Sequence, residues 1–365
     1  MTTRLSVVVA GGHSAGHIEP ALAVADAVRR LDPAAAVTAL GTVRGLDTTL
    51  IPARGYPLEL VPPVPLPRKL NRALIELPWK VRDSVRSARE VLRRVDADVV
   101  VGFGGYVALP AYLAARRLRV PIVVHEANAR PGVANRLAAR LTRHVYTASP
   151  NVRLPHAIAV GVPLRPQIAH LDRTALRPAA LEHFGLEPDR PVLMVTGGSQ
   201  GAQAINSAVS AAVARVVDSG VQVLHIVGPN NYDAPSALSG YVVVPFVEEM
   251  ALAYSAADFA LCRSGAMTCA ELSAVGLPAA YVPLPLRGGE QRHNAQPIVA
   301  AGGGLLIEND RLTPDWILEQ VVPCITDPVR LAEMGRAARH AGSRDADVVV
   351  ARAVLTLAAE HRGSR

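Results

Sequence analysis

The chain has 365 residues, half of them hydrophobic, and carries a formal net charge of +7. This length predicts two domains with enough apolar residues for two cores, yet no apolar run approaches the roughly 20 residues that would cross a bilayer. The charge favours an anionic partner such as nucleic acid, an acidic membrane surface or a phosphate-bearing substrate, but aromatic residues, at only 4%, offer few platforms for stacking single-stranded nucleic acid.

Apolar runs alternate with helical patterns along the chain, which predicts a parallel α/β architecture. Strands are predicted at Leu5–Ala10, Val37–Leu40, Leu58–Val61, Val99–Phe103, Ile122–His125, His144–Thr147, Ile158–Val160, Val192–Thr196, Val221–Val227, Tyr241–Val244, Phe259–Cys262, Ala279–Val282 and Gly304–Ile307. Helices are predicted between them at Pro20–Arg30, Ala108–Leu118, Val133–Leu141, Ala202–Val217, Glu248–Ala256, Gln291–Ala301 and Thr313–Ile325.

A domain boundary is predicted at Gly161–Pro166, where two prolines follow a strand. Each half begins with a strand, a glycine loop and a helix, the loops being Gly11–His17 and Gly197–Ala202. We therefore expect domains at residues 1–162 and 163–343, with a final helix at about 344–363 packing back on the first domain. Two doubly wound domains facing each other would bring both loops to one cleft, beyond the carboxyl ends of their strands.

The two glycine loops lack the fingerprints of common nucleotide-binding enzymes. Neither reads GxGxxG or GxxxxGK[ST], and the second strand ends at Gly41-Thr42 without the acidic residue that holds an NAD ribose. Dinucleotide oxidoreductases and P-loop nucleotidases are therefore disfavoured.

The stretch from Cys262 to Glu271 carries the strongest local signal. It joins a predicted buried strand to a predicted helix that ends near Gly276. The N–H groups near Ala266 and Met267 would then be unpaired, and such a helix start attracts anions. A carboxylate at Glu271 could accept the hydrogen bonds of a ribose diol, although a glutamate near a helix start can also simply complement the dipole.

Seven motifs follow one another along almost the whole chain: Gly11–Pro20, Gly102–Tyr106, His125–Asn128, Gly161–Arg165, Gly197–Ala202, Arg263–Glu271 and Glu290–Ala295. Their order and spacing resemble the MurG family of peptidoglycan N-acetylglucosaminyltransferases, with variants typical of its actinobacterial branch. The resemblance implies the GT-B fold, an α/β fold of two Rossmann-like doubly wound parallel-sheet domains facing a cleft. It also implies an inverting transfer of GlcNAc from UDP-GlcNAc to the C4 hydroxyl of MurNAc in lipid I, giving lipid II and UDP.

The resemblance further implies a set of substrate-binding residues. For UDP-GlcNAc these are Ser14, Ala15, Gly16, Asn128, Arg165, Ser199, Val247, Ala266, Met267, Thr268, Cys269, Ala270, Glu271, Gln291 and Asn294. Within that set, Val247 would meet uracil through its backbone, Glu271 would hold the ribose, and Gln291 would bind GlcNAc hydroxyls together with Asn294. Gly104, Gly105 and Tyr106 would approach the pyrophosphate of the acceptor.

The first glycine loop departs from the family pattern. His13 stands where glycine is usual, Ser14 replaces threonine, and Ala15 replaces glycine. His13 thus adds a side chain at a position where only glycine takes a positive φ freely. His293 and Arg287 are also unusual beside the sugar site.

Direct displacement needs a base for the proton of the attacking hydroxyl, and the sequence offers two candidates. His17 stands at a loop–helix junction and has the right chemical type; Glu126, at a strand end, is the alternative. No zinc site is predicted, because His125-Glu126 lacks the second histidine of HExxH. We expect neither a metal nor another cofactor, and the helix start with Arg165 would stabilise the leaving UDP.

A basic segment from Leu66 to Arg94 predicts docking to an anionic membrane surface. Between Arg68 and Arg94, nine basic residues face three acidic ones, and apolar side chains with a basic fringe are typical of an interfacial segment. A solvated helix over an ordinary core is the alternative. The predicted location is thus peripheral, on the cytoplasmic side of the cell membrane, where cell-wall synthesis proteins are further possible partners.

Three other functions stay open at this point. The first is another GT-B enzyme, such as a UDP-GlcNAc 2-epimerase or a glycosyltransferase that uses a different lipid. The second is a sugar-nucleotide-binding subunit without activity, which only the unusual residue His13 favours. A nucleic-acid binder is suggested by the charge alone and is not expected.

Overall fold

The computed structural model describes residues 4–64, 72–285 and 288–365, with the backbone alone for 72–75, and it divides into two compact units. Unit 1 comprises Met1–Arg165 and Arg344–Arg365, and unit 2 comprises Pro166–Ser343. Each unit is built on one parallel sheet.

The sheet of unit 1 has seven strands in the order β3-β2-β1-β4-β5-β6-β7. They are β1 (Ser6–Gly11), β2 (Ala36–Gly41), β3 (Leu58–Leu60), β4 (Val99–Gly104), β5 (Ile122–Glu126), β6 (His144–Thr147) and β7 (Ala157–Ala159). All neighbouring pairs are parallel, with Val8 opposite Thr38 and Val100. The central strands read as unbroken Val and Ala runs because helices cover both faces of the sheet.

The helices of unit 1 are α1 (Ala15–Leu31), α2 (Asp47–Ala53), α3 (Arg72–Arg94), α4 (Ala108–Leu118), α5 (Val133–Ala138) and a C-terminal helix (Ala346–Gly363). One core packs α1 and the C-terminal helix against the sheet, and a second core packs α3 and α4 against the other face. The C-terminal helix is also tied to the unit by ion pairs, since Arg30 lies 2.7 Å from Asp347 and Arg362 lies 2.7 Å from the buried Asp98.

The sheet of unit 2 has six strands in the order β10-β9-β8-β11-β12-β13, all parallel. They are β8 (Val192–Thr196), β9 (Gln222–Ile226), β10 (Tyr241–Val244), β11 (Phe259–Cys262), β12 (Ala279–Tyr281) and β13 (Gly304–Leu306). Its helices are α6 (Pro166–Ala169), α7 (Arg173–Phe184), α8 (Gln203–Asp218), α9 (Met250–Ala256), α10 (Ala266–Val275), α11 (Glu290–Ala300), α12 (Pro314–Trp316), α13 (Val322–Ile325) and α14 (Pro328–Ala341).

The thirteen predicted strands are all present, with ends shifted by at most one residue. The helices differ more from expectation. The predicted helix Thr313–Ile325 is interrupted by a π-helical turn at Ile317–Val321, just before Pro323, whose missing N–H cannot continue the regular hydrogen-bond ladder. The predicted start of α1 at Pro20 was five residues late, and the predicted helix Val133–Leu141 ends at Ala138.

The segment that was predicted to dock on a membrane is only partly described. Its first residues, including Leu66, Arg68, Lys69 and Leu70, lie outside the described residues, whereas the rest forms the helix α3. None of the helices in the described ranges combines the length and the apolar character that a bilayer crossing needs.

Candidate active site

Two glycine loops of unit 1 touch through their backbones at the carboxyl edge of the sheet. The strands β1 and β4 are neighbours, so the loops that follow them start side by side. Gly105 has a φ of +79°, and a Cβ there would lie 2.5 Å from the carbonyl oxygen of Gly12. Only glycine fits this contact, because any side chain would push the two loops apart.

His17 lies in the first turn of α1, against the second of these loops. Its ring packs over Gly104, where a Cβ would lie 3.0 Å from Cδ2 and 3.1 Å from Nε2 of the imidazole. Its Nδ1 lies 3.1 Å from Oγ of Ser14. The tautomer that donates from Nδ1 to this hydroxyl leaves Nε2 as the proton acceptor.

The surroundings of His17 favour the neutral form of its ring. Burial is the main cause that lowers the pKa of His17 below its ordinary value, and the nearby His13 lowers it further. Asp47 acts in the opposite direction and raises the pKa. A neutral imidazole with an accepting nitrogen is the form that a general base requires.

Glu126 is buried at the end of β5 and holds the loop that follows it. Its Oε1 accepts hydrogen bonds from the backbone N–H of Asn128 at 2.9 Å and, more weakly, from the side chain of the same residue at 3.4 Å. Its Oε2 accepts from the N–H of Gly132 and from Nδ2 of Asn135, both at 3.0 Å. Burial raises the pKa of Glu126, and these hydrogen bonds oppose the shift. The side chain of Glu126 is only 2% exposed, and its four hydrogen bonds fix the loop that carries Asn128.

Asp47 is a functional candidate that the sequence analysis missed. This fully buried carboxylate accepts hydrogen bonds from the N–H of His13 at 2.8 Å, from the N–H of Thr42 at 2.9 Å and from the hydroxyl of Thr42 at 3.1 Å. It therefore fastens the loop after β1 to the loop after β2. The only sequence signal was an acidic residue at the start of the unpredicted helix α2.

The remaining predicted residues of unit 1 lie near the same edge. Ala15 is half-buried and Gly16 is exposed, both in the first turn of α1. The ring of Tyr106 lies 4.8 Å from that of His13. Arg165, the last residue before unit 2, has its Nε 3.7 Å from Oε2 of Glu19.

In unit 2, the central strand β11 leads into an uncapped helix start. Gly265 is the N-cap of α10 and has extended backbone angles, and it offers no side chain to the first N–H groups of the helix. The donors of Ala266, Met267 and Thr268 therefore point out beyond the carboxyl end of β11. This arrangement, strand to glycine to helix start, is an anion-binding geometry.

Glu271 stands in the second turn of α10 and is only 8% exposed. The hydroxyl of Tyr254, on α9, donates a hydrogen bond of 2.6 Å to its Oε2. This hydrogen bond orients the carboxylate of Glu271. Tyr254 was not predicted as part of the site.

The other predicted residues of unit 2 lie on the loop after β8 and in the first turns of α11. Ser199 is exposed in the loop after β8, the strand next to β11. Oε1 of Gln291 accepts a hydrogen bond from the N–H of Leu284 at 2.9 Å, and Nδ2 of Asn294 donates to the carbonyl oxygen of Ser264 at 3.3 Å. The second contact ties α11 to the loop that precedes α10.

Three further predicted residues of unit 2 are buried or half-buried. Val247 is buried just after β10. The thiol of Cys269 lies in the core, where burial raises its pKa well above the ordinary range. Ala270 is half-buried beside it. Of the two unusual residues near the predicted sugar site, His293 bonds the carbonyl of Gly289 through Nδ1 at 2.6 Å, and Arg287 lies outside the described residues.

The chain matches two protein-family models that together cover most of its length. Residues 7–147 match the glycosyltransferase family 28 N-terminal domain, and residues 192–350 match the glycosyltransferase family 28 C-terminal domain.

Similar proteins of known name include two UDP-N-acetylglucosamine–N-acetylmuramyl-(pentapeptide) pyrophosphoryl-undecaprenol N-acetylglucosamine transferases. The one from Nocardia farcinica is 58% identical over 97% of this chain and 96% of its own length. The one from Streptomyces avermitilis is 55% identical over 98% of this chain and its full length.

Among solved structures, the crystal structure of Acinetobacter baumannii MurG matches with a TM-score of 0.78 and 29% identity, covering 97% of this chain and all of that one. A glycosyltransferase of kitacinnamycin matches with a TM-score of 0.70 at 16% identity over 97% of this chain and 99% of that one, which is a likeness of fold alone. These matches confirm the predicted GT-B fold class.

The anchoring role of Asp47 leads to a testable expectation. Asp47→Asn places an amide N–H₂ group against N–H donors, which should lower the local free energy of unfolding by about 1–3 kcal/mol. Hydrogen exchange of the peptide that covers Gly12–His17 should therefore become roughly 5- to 150-fold faster in this variant. The matched control is Asp32→Asn, at a surface turn where the carboxylate accepts a hydrogen bond from the N–H of Ala34. Equal exchange in both variants would show that Asp47 does not hold the loop.

Proposed function

This chain belongs to glycosyltransferase family 28, in its MurG branch, and from that membership we propose that it transfers N-acetylglucosamine from UDP-GlcNAc to lipid I, giving lipid II and UDP. At the site itself, the proposal is supported by the uncapped start of α10 and by the buried Glu271, which lies one turn further along the helix. That pair suits a nucleoside diphosphate.

Unit 2 is proposed to bind the donor. The N–H groups at the start of α10 would hold the diphosphate, with Ser199 on the adjacent loop. Glu271, oriented by Tyr254, would accept both ribose hydroxyls. Gln291 would bind hydroxyls of the sugar together with Asn294, and the backbone at Val247 would meet uracil.

Unit 1 is proposed to bind the acceptor and to hold the base. Nε2 of His17 would take the proton of the C4 hydroxyl as its oxygen attacks the anomeric carbon of GlcNAc. The bond from that carbon to the diphosphate oxygen breaks at the same time, so the configuration inverts and UDP leaves with the electron pair. The helix start and Arg165 would stabilise the charge that develops on UDP.

Glu126 is proposed as a positioning residue. Its four hydrogen bonds fix the loop that carries Asn128, and we propose that Asn128 contacts the transferred sugar. This choice between the two candidate bases rests on the hydrogen bonds of Glu126 and on the burial of His17 beside Gly104.

The lipid acceptor requires a membrane surface, and α3 is the proposed contact. The side chain of Trp79 is 69% exposed, and the basic side chains of Lys80, Arg82 and Arg86 are exposed along the same helix. An interfacial helix of this composition binds anionic lipid without crossing the bilayer. We propose that the protein is peripheral and docks on the cytoplasmic face.

Replacing the proposed base should abolish most of the turnover. His17→Ala is expected to lower kcat by roughly 10²- to 10⁴-fold, with UDP affinity unchanged because the proposed donor site lies in unit 2.

In the unmodified protein, the base must be neutral, so kcat/KM should fall as pH falls. Because burial lowers the pKa of His17, the midpoint of that fall should lie below the ordinary histidine value of about 6.5.

The comparison variant is Glu126→Gln, which keeps the shape of the side chain but loses an acceptor. It should retain more turnover than His17→Ala. If instead the folded Glu126→Gln protein is the more impaired of the two, the role of base belongs to Glu126.

Removing the ribose-binding carboxylate should weaken donor binding. Glu271→Ala is expected to lower the affinity for UDP by roughly 10- to 150-fold, the equivalent of about 1.5–3 kcal/mol for hydrogen bonds to a charged group. Tyr254→Phe, which removes only the orienting hydroxyl, should have a smaller effect. Calorimetric titration with UDP measures both, with the exposed Glu333→Ala as the control. Unchanged affinity in a folded Glu271→Ala protein would remove Glu271 from the donor site.

Reducing the charge of the basic segment should release the protein from membranes. Replacing Arg68, Lys69, Arg72 and Lys80 with Ser should lower co-sedimentation with anionic liposomes, since each basic residue near such a surface contributes about 1 kcal/mol. UDP binding should stay unchanged. The control carries the same charge loss at four exposed arginines of unit 2, which are Arg215, Arg311, Arg330 and Arg336. Equal release of both variants would mean that docking does not depend on this segment.

A further inference from the structure

His225 is a polar residue inside an otherwise aliphatic interface of unit 2. It lies on β9, opposite Val195 and Val243 of the two neighbouring strands, and its side chain is fully buried. The side chains with which α8 packs on this sheet form an apolar core. Burying an imidazole in such a core is unfavourable unless its nitrogens find hydrogen-bond partners, so the partners of His225 indicate what the ring does.

Each ring nitrogen of His225 has a partner on a different element. Nδ1 lies 2.8 Å from the hydroxyl of Tyr241, on the edge strand β10, and Nε2 lies 3.1 Å from Oδ1 of Asn206, in α8. Nδ2 of Asn206 in turn donates a hydrogen bond of 2.9 Å to the carbonyl oxygen of Val227, just after β9. Tyr241, His225, Asn206 and Val227 thus form one chain of hydrogen bonds, here named the His225 chain. It runs from the edge of the sheet to the loop that follows β9.

The carbonyl group at its end fixes the direction of every hydrogen bond in the His225 chain. A carbonyl oxygen only accepts, so Asn206 turns its N–H₂ group to Val227 and its oxygen to His225. Nε2 of the ring must then carry the proton, and Nδ1 accepts from the hydroxyl of Tyr241. Burial lowers the pKa of His225 to about 4, so the ring is neutral at physiological pH. Because each donor meets an acceptor, the chain specifies one arrangement of its members.

The His225 chain ends where two glycine loops meet. A Cβ on Gly201, which has a φ of +75°, would overlap the carbonyl oxygen of Val227, and a Cβ on Gly228 would lie 2.6 Å from the backbone nitrogen of Gly201. The loop after β9 is therefore in backbone contact with the loop after β8. In that second loop, the N–H of Gly201 closes a turn by donating to the carbonyl oxygen of Gly198 at 3.0 Å, and Ser199 lies within this turn. A shift of the Val227 carbonyl must shift the turn as well.

We propose that His225 is a positioning residue for the donor site: through Asn206 it fixes the carbonyl of Val227, which holds the turn with Ser199 where the donor diphosphate is to bind. The inference rests on the proposed function, because it concerns the same donor site. In this role His225 acts through other residues and does not touch the substrate. The competing explanation is that the His225 chain only stabilises the packing of α8 on the sheet.

The test compares the affinities for UDP and for uridine, which lacks the diphosphate, by calorimetric and NMR titration of the full-length protein. His225→Leu fills the space of the ring but removes the donor to Asn206, so the affinity for UDP should fall about tenfold while that for uridine stays within about twofold. His225→Gln keeps an N–H donor at about the distance of Nε2 and should retain most of the preference for UDP. An affinity for UDP within about twofold of normal in His225→Leu, or an equal loss for both ligands, would overturn the proposal. Equal losses in the Leu and Gln variants would overturn the role of the ring N–H.

The matched control is Gln222→Leu, at the other end of the same strand. Gln222 is 1% exposed, and its side-chain amide exchanges two hydrogen bonds of 2.8 Å with the backbone of Glu187 at the amino edge of the sheet. Both Leu variants lose buried hydrogen bonds of β9 and should have lower melting temperatures, but only His225→Leu should lose its preference for UDP. An equal loss of preference in Gln222→Leu would show that lower stability alone explains the effect.

Tyr241→Phe tests the His225 chain with a smaller change. It removes only the hydroxyl of a half-buried residue on the edge strand, so it keeps the packing even if His225→Leu does not fold. Its affinity for UDP should fall about threefold, as expected for one neutral hydrogen bond, and its affinity for uridine should not change. An unchanged affinity for UDP in this variant contradicts the proposal.

These binding measurements do not depend on the reaction, so the failure of this inference can be told apart from the failure of the proposed function. If the unmodified protein prefers UDP through His225 but transfers no sugar to a lipid I analogue, the proposed function fails and the positioning role stands. If it transfers sugar while His225→Leu keeps its preference for UDP, only the positioning role fails. Absence of UDP binding in the unmodified protein would overturn both.

Discussion

The geometry of unit 1 depends on a backbone contact that only glycine permits. Because a Cβ on Gly105 would lie 2.5 Å from the carbonyl oxygen of Gly12, the loops after β1 and β4 can close on each other without side chains between them. The same closeness lets the ring of His17 rest on Gly104. The ring of His17 is thereby buried, and burial is the main cause of its lowered pKa.

The strands of both sheets could be predicted from sequence because parallel sheets covered on both faces require continuous apolar runs. Helices were harder to predict. The helices α2, α7 and α14 have few buried residues and contain proline near or within them, so their hydrophobic period is weak. The π-helical turn at Ile317–Val321 also could not be detected from the spacing of hydrophobic residues, because it arises where the helical hydrogen-bond ladder meets Pro323.

Features of the candidate site that lie within a single sequence motif could be predicted. The uncapped start of α10 follows from a buried strand followed by Ser264-Gly265, which is a local pattern. Partners that are distant in sequence were missed: Tyr254 orients Glu271 from 17 residues away, and Asp47 holds His13 from 34 residues away. A departure from a family pattern, such as His13, marks a position but not its conformation, because hydrogen bonds with the distant residues Asp47 and Leu46 hold its φ of +77°.

Glycosyl transfer between the two substrates is tested most directly by an analysis of the products. The unmodified protein is incubated with UDP-GlcNAc, a lipid I analogue, or both, and the products are followed by UDP release and by NMR of the new linkage. We predict that UDP appears only when both substrates are present, together with a β-linked GlcNAc at the C4 oxygen of MurNAc. Release of UDP without the acceptor, or formation of a 2-epimerised sugar nucleotide, would contradict the account.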